Sequence, residues 1–336
     1  MKATITDVAK QAGVSMKTVS RVLNNEPNVA KATRDRVMEV AANLQYRPNL
    51  AARGLASSKS YLIALLYDNA SASYITNIQR GAIEACRRNG YHLLLEPMPY
   101  EQANSPEAEL LLRRLGVDGV ILTPPLSDSL VLRESLRRLD MRHVAVAPNK
   151  MDDVHAVRMD DAEAAFQMTT YLIEQGHRDI GFILGHPDHG ATASRRLGFE
   201  KALRQAGIPI HEDRVIAGDF SFRSGVEAAE RLLDDPAHRP TAVFASNDDM
   251  AAGVMSVAGR LGISVPDALS VCGFDDTPIA QIIWPQLTTV AQPIYQMGFK
   301  AADILINRNK NEDPQVHTLE FELVIRDSTV GRHALG

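Results

Sequence analysis

The stretch DVAKQAGVSMKTVSRVLNN, residues 7–25, decides how the chain is read. Gly13 interrupts the helical spacing, so two short helices are expected on either side of it. Thr6 is expected to cap the first, over residues 7–12, and Ser15 the second, over 16–24. In the second helix Val19, Val22 and Leu23 fall at i, i+3, i+4 and form an inner face. Lys17, Ser20, Arg21 and Asn24 form the opposite one. Two helices around a glycine turn, the second polar outward, fit a helix-turn-helix whose second helix lies in the DNA major groove. Lys17 and Arg21 then donate to guanine O6 and N7, while Thr18, Ser20 and Asn24 reach phosphate oxygens. The same pattern also suits any small helical bundle with a solvated polar face.

Charge bears on the nucleic-acid reading. Residues 1–60 carry ten Lys and Arg against four Asp and Glu, a net of +6. The remaining chain carries 26 against 37, a net of −11. A basic segment ahead of an acidic body is a hint of nucleic-acid contact at one end, and charge alone fits chance plus a solvated surface equally well.

A third helix is expected from about Thr33, with Val37, Val40, Ala41 and Leu44 on one stripe. After RPNLAARGLASS, residues 47–58, the pattern changes. Apolar runs now alternate with amphipathic helices: YLIALL (61–66), YHLLLE, VDGVILT and HVAVA, then DIGFILG, RVIAG, TAVFAS and LSVCGFDD. Such alternation implies parallel sheets covered by helices. Nine or ten strands are many for one sheet, so two sheet subdomains are expected. The tail, with LTTVAQP, a helix over 294–307 and HTLEFELVIRDS, is expected to cross back between them.

These segments together resemble the LacI/GalR family of bacterial transcription regulators. TDVAKQAGVSMKTVSRVLN, RPNLAARGL and GFDD carry the resemblance, which covers essentially the whole chain. It implies an all-α helix-turn-helix headpiece over 1–47 and a hinge helix and linker over 48–60. It also implies an α/β core over 61–336, like periplasmic sugar-binding proteins. The core divides into one parallel-sheet subdomain of about 61–160 plus 291–322 and another of about 161–290 plus 323–336. By position Met16, Lys17 and Arg21 are the base readers. Thr4, Thr18, Ser20, Asn24 and Asn49 complete the DNA contacts. Leu55 is the apolar wedge of the hinge helix in the minor groove. A hinge segment of about eight residues is too short to persist as a helix alone, and Gly54 weakens it further.

Polar residues just after strands sit where α/β sheets bind ligands. From pattern alone, Asp68, Asn247 and Asp275 are equally helix caps or loop closers, Arg195 a surface residue, and Tyr74 and Phe220 packing residues. The resemblance implies that Asp68, Tyr74, Arg195, Phe220, Asn247 and Asp275 line a cleft between the subdomains. The ligand expected there is a small effector, a sugar or sugar derivative, with sugar phosphates and purines as alternatives.

Other constellations carry less. GHPDHG, with His186, Asp188 and His189, lacks a metal-ligand spacing. Adjacent acid pairs such as Asp160-Asp161 and Asp248-Asp249 fit helix starts better than acid–base catalysis. No nucleotide-binding loop or nucleophile elbow is present, so neither an enzyme nor a cofactor is expected. Two cysteines, Cys86 and Cys272, make no disulfide framework. With no secretory signal and no apolar run long enough for a membrane span, a cytoplasmic protein is expected. The reading is a ligand-responsive, sequence-specific repressor of carbohydrate-utilisation genes. It is expected to bind a palindromic operator as a homodimer.

Overall fold

The computed structural model describes residues 3–23, 27–46, 59–151, 153–307 and 313–331. The chain divides into two compact units, Met1–Tyr61 and Leu62–Gly336.

The first unit holds α1 (Ile5–Ala12), α2 (Met16–Leu23) and α3 (Lys31–Asn43). The first helix starts earlier than expected, because its cap is Thr4 rather than Thr6. The Thr4 hydroxyl accepts from Asp7 N at 3.4 Å, and Asp7 Oδ2 accepts from Thr4 N at 2.9 Å. This reciprocal capping box satisfies two of the N–H groups that a helix start leaves open. Thr6 instead points its hydroxyl at the Met16 sulfur, 3.4 Å away. Gly13 ends α1 at φ 65°, a left-handed turn that glycine takes without a Cβ penalty. Ser15 Oγ then accepts from Thr18 N at 3.1 Å and starts α2. Val8, Ala12, Val19, Val22, Val37 and Ala41 close a small apolar core between the three helices.

In the second unit a six-stranded parallel sheet forms one lobe. Its strands are β1 (Leu62–Tyr67), β2 (His92–Pro97), β3 (Gly119–Leu122), β4 (His143–Val146), β5 (His155–Arg158) and β11 (Val316–Thr318), in the order β11-β5-β4-β3-β1-β2. A four-stranded parallel sheet forms the other, ordered β7-β6-β8-β9. Its strands are β6 (Ile180–Ile183), β7 (Val215–Ile216), β8 (Ala242–Ala245) and β9 (Ser270–Cys272). Each strand of β3, β6 and β8 is buried along its whole length, as strands covered on both faces must be. The first lobe carries α4 (Ala72–Arg88), α5 (Tyr100–Ala103), α6 (Glu107–Leu115) and α7 (Leu130–Arg138). The second carries α8 (Asp161–Glu174), α9 (Gly190–Gln205), α10 (Phe222–Leu233), α11 (Asp248–Arg260) and α12 (Pro278–Ile282).

The chain then returns through β10 (Thr289–Ala291), enters α13 (Ile294–Asn307), which packs on α4, and comes back through β12 (Glu322–Val324). β10 and β12 pair antiparallel as a two-stranded ribbon. The loop after β9 is fastened to that ribbon by its main chain. Gly273 N donates to Thr288 O at 2.9 Å, and Asp275 N to Val290 O at 2.8 Å. Among the described residues no helix is long and apolar enough to cross a membrane.

Candidate DNA interface and ligand cleft

On α2 the two faces separate cleanly. Val19 and Val22 are buried, whereas Met16, Lys17 and Arg21 are exposed and Thr18 and Ser20 half-buried. The exposed face therefore offers one apolar and two cationic side chains within two turns. Thr18 is tied at 2.9 Å to the Ser15 hydroxyl, and Thr4 to the α1 cap, so both hydroxyls already have local partners. Asn24, Asn49 and Leu55 lie outside the described residues.

The core unit holds a cavity between its lobes, about 30 Å³ in volume. Tyr74, Arg195, Phe220, Asn247 and Asp275, far apart in sequence, all border it. Asp68 does not. Its carboxylate accepts from Tyr100 N at 2.8 Å and anchors the start of α5. Asn69 and Ser71, just beyond it, face the cavity instead.

Arg195 is 4% exposed and lies deep in one wall. Its Nε and Nη2 each approach Asp161 Oδ1 at 2.9 Å, and Nη1 donates to the Ser246 carbonyl. Its guanidinium stacks on Phe274, 3.6 Å from the ring centroid. Asn247 caps α11 through Oδ1, which accepts from Met250 N at 2.9 Å. Its Nδ2 donates to Phe220 O at 2.8 Å and so holds a residue at φ 71°. The Phe220 ring lies over Gly185, where any Cβ would come within 1.9 Å of it. The His189 ring is also beside it, with centroids 5.0 Å apart.

Asp275 sits in the loop after β9 at φ 115°, with Asp276 at φ 54°. Backbone of this kind strains an L-residue and persists only where the surroundings hold it. Asp248, fully buried, does the holding. Its Oδ2 accepts from Thr277 N at 2.7 Å and Thr277 Oγ1 at 3.1 Å, and its Oδ1 from Thr289 Oγ1 at 2.6 Å. Arg326 pairs with Asp276 at 2.6 Å. Gln292, entering from the crossing chain, donates to Asp275 Oδ1 at 2.5 Å.

Burial dominates the titration of these groups, since it disfavours whichever form is charged. It raises Asp275 well above the carboxylate range, with Arg195 opposing and Asp248 adding to the shift. It raises Asp248 to about 7 and lowers His189 to about 3. The Tyr74 phenol is raised too, by burial first and then by Asp275 and Asp161. Asp161, His189, Ser71, Gln292 and Asp248 escaped the sequence reading. Asp161 and Asp248 carried only a helix-start signal, and His189 only a weak metal pattern.

Three likenesses bear on this arrangement. Residues 4–49 match the model of the bacterial regulatory proteins of the lacI family, and residues 169–329 that of a periplasmic binding protein-like domain. The chain is 34% identical to catabolite control protein A of Priestia megaterium, over 98% of this chain and 100% of the relative. Among solved structures it resembles a transcriptional regulator CelR–cellobiose complex, at 31% identity and a TM-score of 0.74, covering 97% and 99% of the two chains. It also resembles the lac repressor dimer bound to operator and the anti-inducer ONPF, at 26% identity and a TM-score of 0.79, covering 98% and 100%.

Proposed function

Since the chain belongs to the lacI family of bacterial regulatory proteins, a DNA-binding transcription regulator with an effector-binding core, we propose that it is a cytoplasmic, homodimeric repressor controlled by a small polar effector bound in the cleft of its core. The carrying observation is the cavity itself. Five residues from separate segments, Tyr74, Arg195, Phe220, Asn247 and Asp275, converge on it with two aromatic rings, a guanidinium, an amide and a buried carboxyl. Asp275 accepts hydroxyl hydrogens, and Phe220 covers the apolar side of a ring. The cellobiose bound in the CelR complex supports a carbohydrate as the effector class. The genes controlled are then those of carbohydrate use.

On the DNA side Lys17 and Arg21 read base edges, with Met16 against a thymine methyl. Thr4, Thr18, Ser20, Asn24 and Asn49 contribute backbone contacts, and Leu55 wedges a base step. The palindromic operator mirrors the two-fold of the dimer.

A cavity of about 30 Å³ is far below the roughly 300–1,000 Å³ of open small-ligand pockets. A sugar therefore enters only when the lobes part, and its own contacts then redraw them together. In the closed cleft Ser71 Oγ donates to Asp249 Oδ2 at 2.8 Å and holds one lobe to the other. Because the Asp275 loop is bonded to β10, this motion reaches the strands that join the lobes, and from there the hinge over 48–60.

The test is Asp275→Ala in the full chain. Operator binding without effector should match the parent. Loss of two hydrogen bonds to a buried, neutral carboxyl, ~0.5–1.5 kcal/mol each, should weaken effector affinity by roughly one to two powers of ten. A stable variant with parental effector affinity removes Asp275 from the site.

A further inference from the structure

Resting on the reading that the cleft binds the effector, we propose that it is built for an uncharged polyhydroxyl ligand and excludes that ligand's phosphate esters and acids.

The first ground is the charge of the walls. Asp161 and Asp275 both line the cavity, and Asp249 reaches its rim through Ser71. Among the described residues Arg195 is the one Lys or Arg lining it. That guanidinium is committed on three sides: to Asp161, to the Ser246 carbonyl, and through its face to Phe274. His189 adds no charge, because burial holds the imidazole neutral. The adjoining recess brings Arg158, but with Asp160 and Asp161 in the same lining. Burial already pushes the Asp275 carboxyl toward its neutral form, and a dianionic phosphate would meet the same penalty with no uncommitted cation to offset it.

The second ground is the helix starts. Helix N-termini are where proteins hold phosphate, because free N–H groups and the dipole point there. Four helices begin around this cavity, and the chain's own acids stand at each. Asp160 caps α8, with Asp161 in its first turn. Asp128 is buried against Gly190, the first residue of α9. Asp248 and Asp249 occupy the first turn of α11. Ser71 caps α4, and its hydroxyl donates to the Asp249 carboxylate. An incoming phosphate finds these positions already filled by the chain's own acidic and hydroxyl side chains.

The third ground is what remains for a ligand to use. Asn69, Ser71, Asn247 and Gln292 are neutral groups that border the cavity, and each keeps a donor or acceptor site beyond the bonds it makes within the protein. With the Asp275 carboxyl they match a molecule carrying many hydroxyls, each of which also donates and accepts.

The experiment is a paired binding screen on the full chain at neutral pH, by calorimetric titration with melting curves. Each neutral sugar, such as glucose, ribose or cellobiose, is run beside its phosphate ester or acid, and hypoxanthine is included. The expected result is that a neutral sugar binds, its ester binds at least 100-fold more weakly, and Asp275→Ala weakens binding of the sugar by roughly one to two powers of ten. An ester that binds as tightly as its sugar and is weakened in Asp275→Ala overturns the proposal and leaves the cleft reading standing. So does hypoxanthine as the sole binder. Binding of any member that is indifferent to both Asp275→Ala and Phe220→Ala sinks the cleft reading itself, and a screen in which no neutral sugar binds counts against the proposal.

Discussion

Arg195→Ala tests whether the ion pair in the cleft wall is a structural pillar as well as a ligand contact. The Arg195 and Asp161 side chains are 5% and 11% exposed. Removing the guanidinium leaves a carboxylate buried without its counter-charge, the Ser246 carbonyl without its donor, and the Phe274 face uncovered. Breaking one partner out of a buried pair costs about 3–5 kcal/mol. At roughly 2–4 °C per kcal/mol for a domain of this size, the core should melt on the order of 10 °C lower. Effector binding should vanish at the same time, so stability and recognition need separating. The double variant Arg195→Met/Asp161→Leu does this. Apolar groups of similar size replace the whole pair, so the melting temperature should recover most of the loss while effector binding stays absent. Melting curves of the parent, Arg195→Met, Asp161→Leu and the double variant complete the cycle. If Arg195→Ala melts within about 2 °C of the parent, or the double variant is as unstable as the single, the pair does not hold the wall and the reasoning fails.

Three further outcomes are expected. Lys17→Ala and Arg21→Ala should each lose about 1–3 kcal/mol of operator discrimination, since neither residue belongs to the Val19/Val22 face; gel-shift titrations against operator and random duplexes measure it, and an unchanged preference removes that residue from base reading. Thr4→Ala removes a capping box and should lower headpiece stability by about 1 kcal/mol; helix-signal melting of the full chain checks it. Asp248 is raised from 3.8 to about 7 by burial. Its folded-state pKa thus lies above its unfolded one, so its contribution to stability is full below pH 4 and is lost as pH rises toward 7, by about 1.4 kcal/mol per unit of pH. The difference in melting temperature between parent and Asp248→Asn should therefore grow more unfavourable to the parent across that window; a constant difference would refute the assignment.

Local signals carried much of this molecule. Ser15 caps α2 as expected, and Asn247 takes the capping role that the pattern allowed it, because a cap is written in two or three neighbouring residues. The inner face of α2 was legible for the same reason, since period alone selects Val19 and Val22. Thr4 and Thr6 are two residues apart with one acid within reach. Only the three-residue spacing from Thr4 to Asp7 forms the box, so the start slipped. β5, HAVR, was missed: four residues with a charge at the end give no apolar run, and parallel neighbours on both sides supply what the sequence does not. The cleft was legible only where the family resemblance named it. Gln292 reaches Asp275, and Asp161 reaches Arg195, across 17 and 34 residues. No window along the chain contains that meeting. Asp68 shows the converse: its place after a strand was read correctly, but Tyr100 N claims its carboxylate.

Among the bonds that join the Asp275 loop to the crossing strand, those donated by the N–H groups of Gly273 and Asp275 involve no side chain. Every amino acid except proline supplies that donor. Side chains around the cavity can thus be exchanged one at a time, altering what is recognised, while the linkage that reports recognition is inherited whole. Such a regulator can be handed a new chemical cue by a few point substitutions, without having to reinvent the means by which it responds.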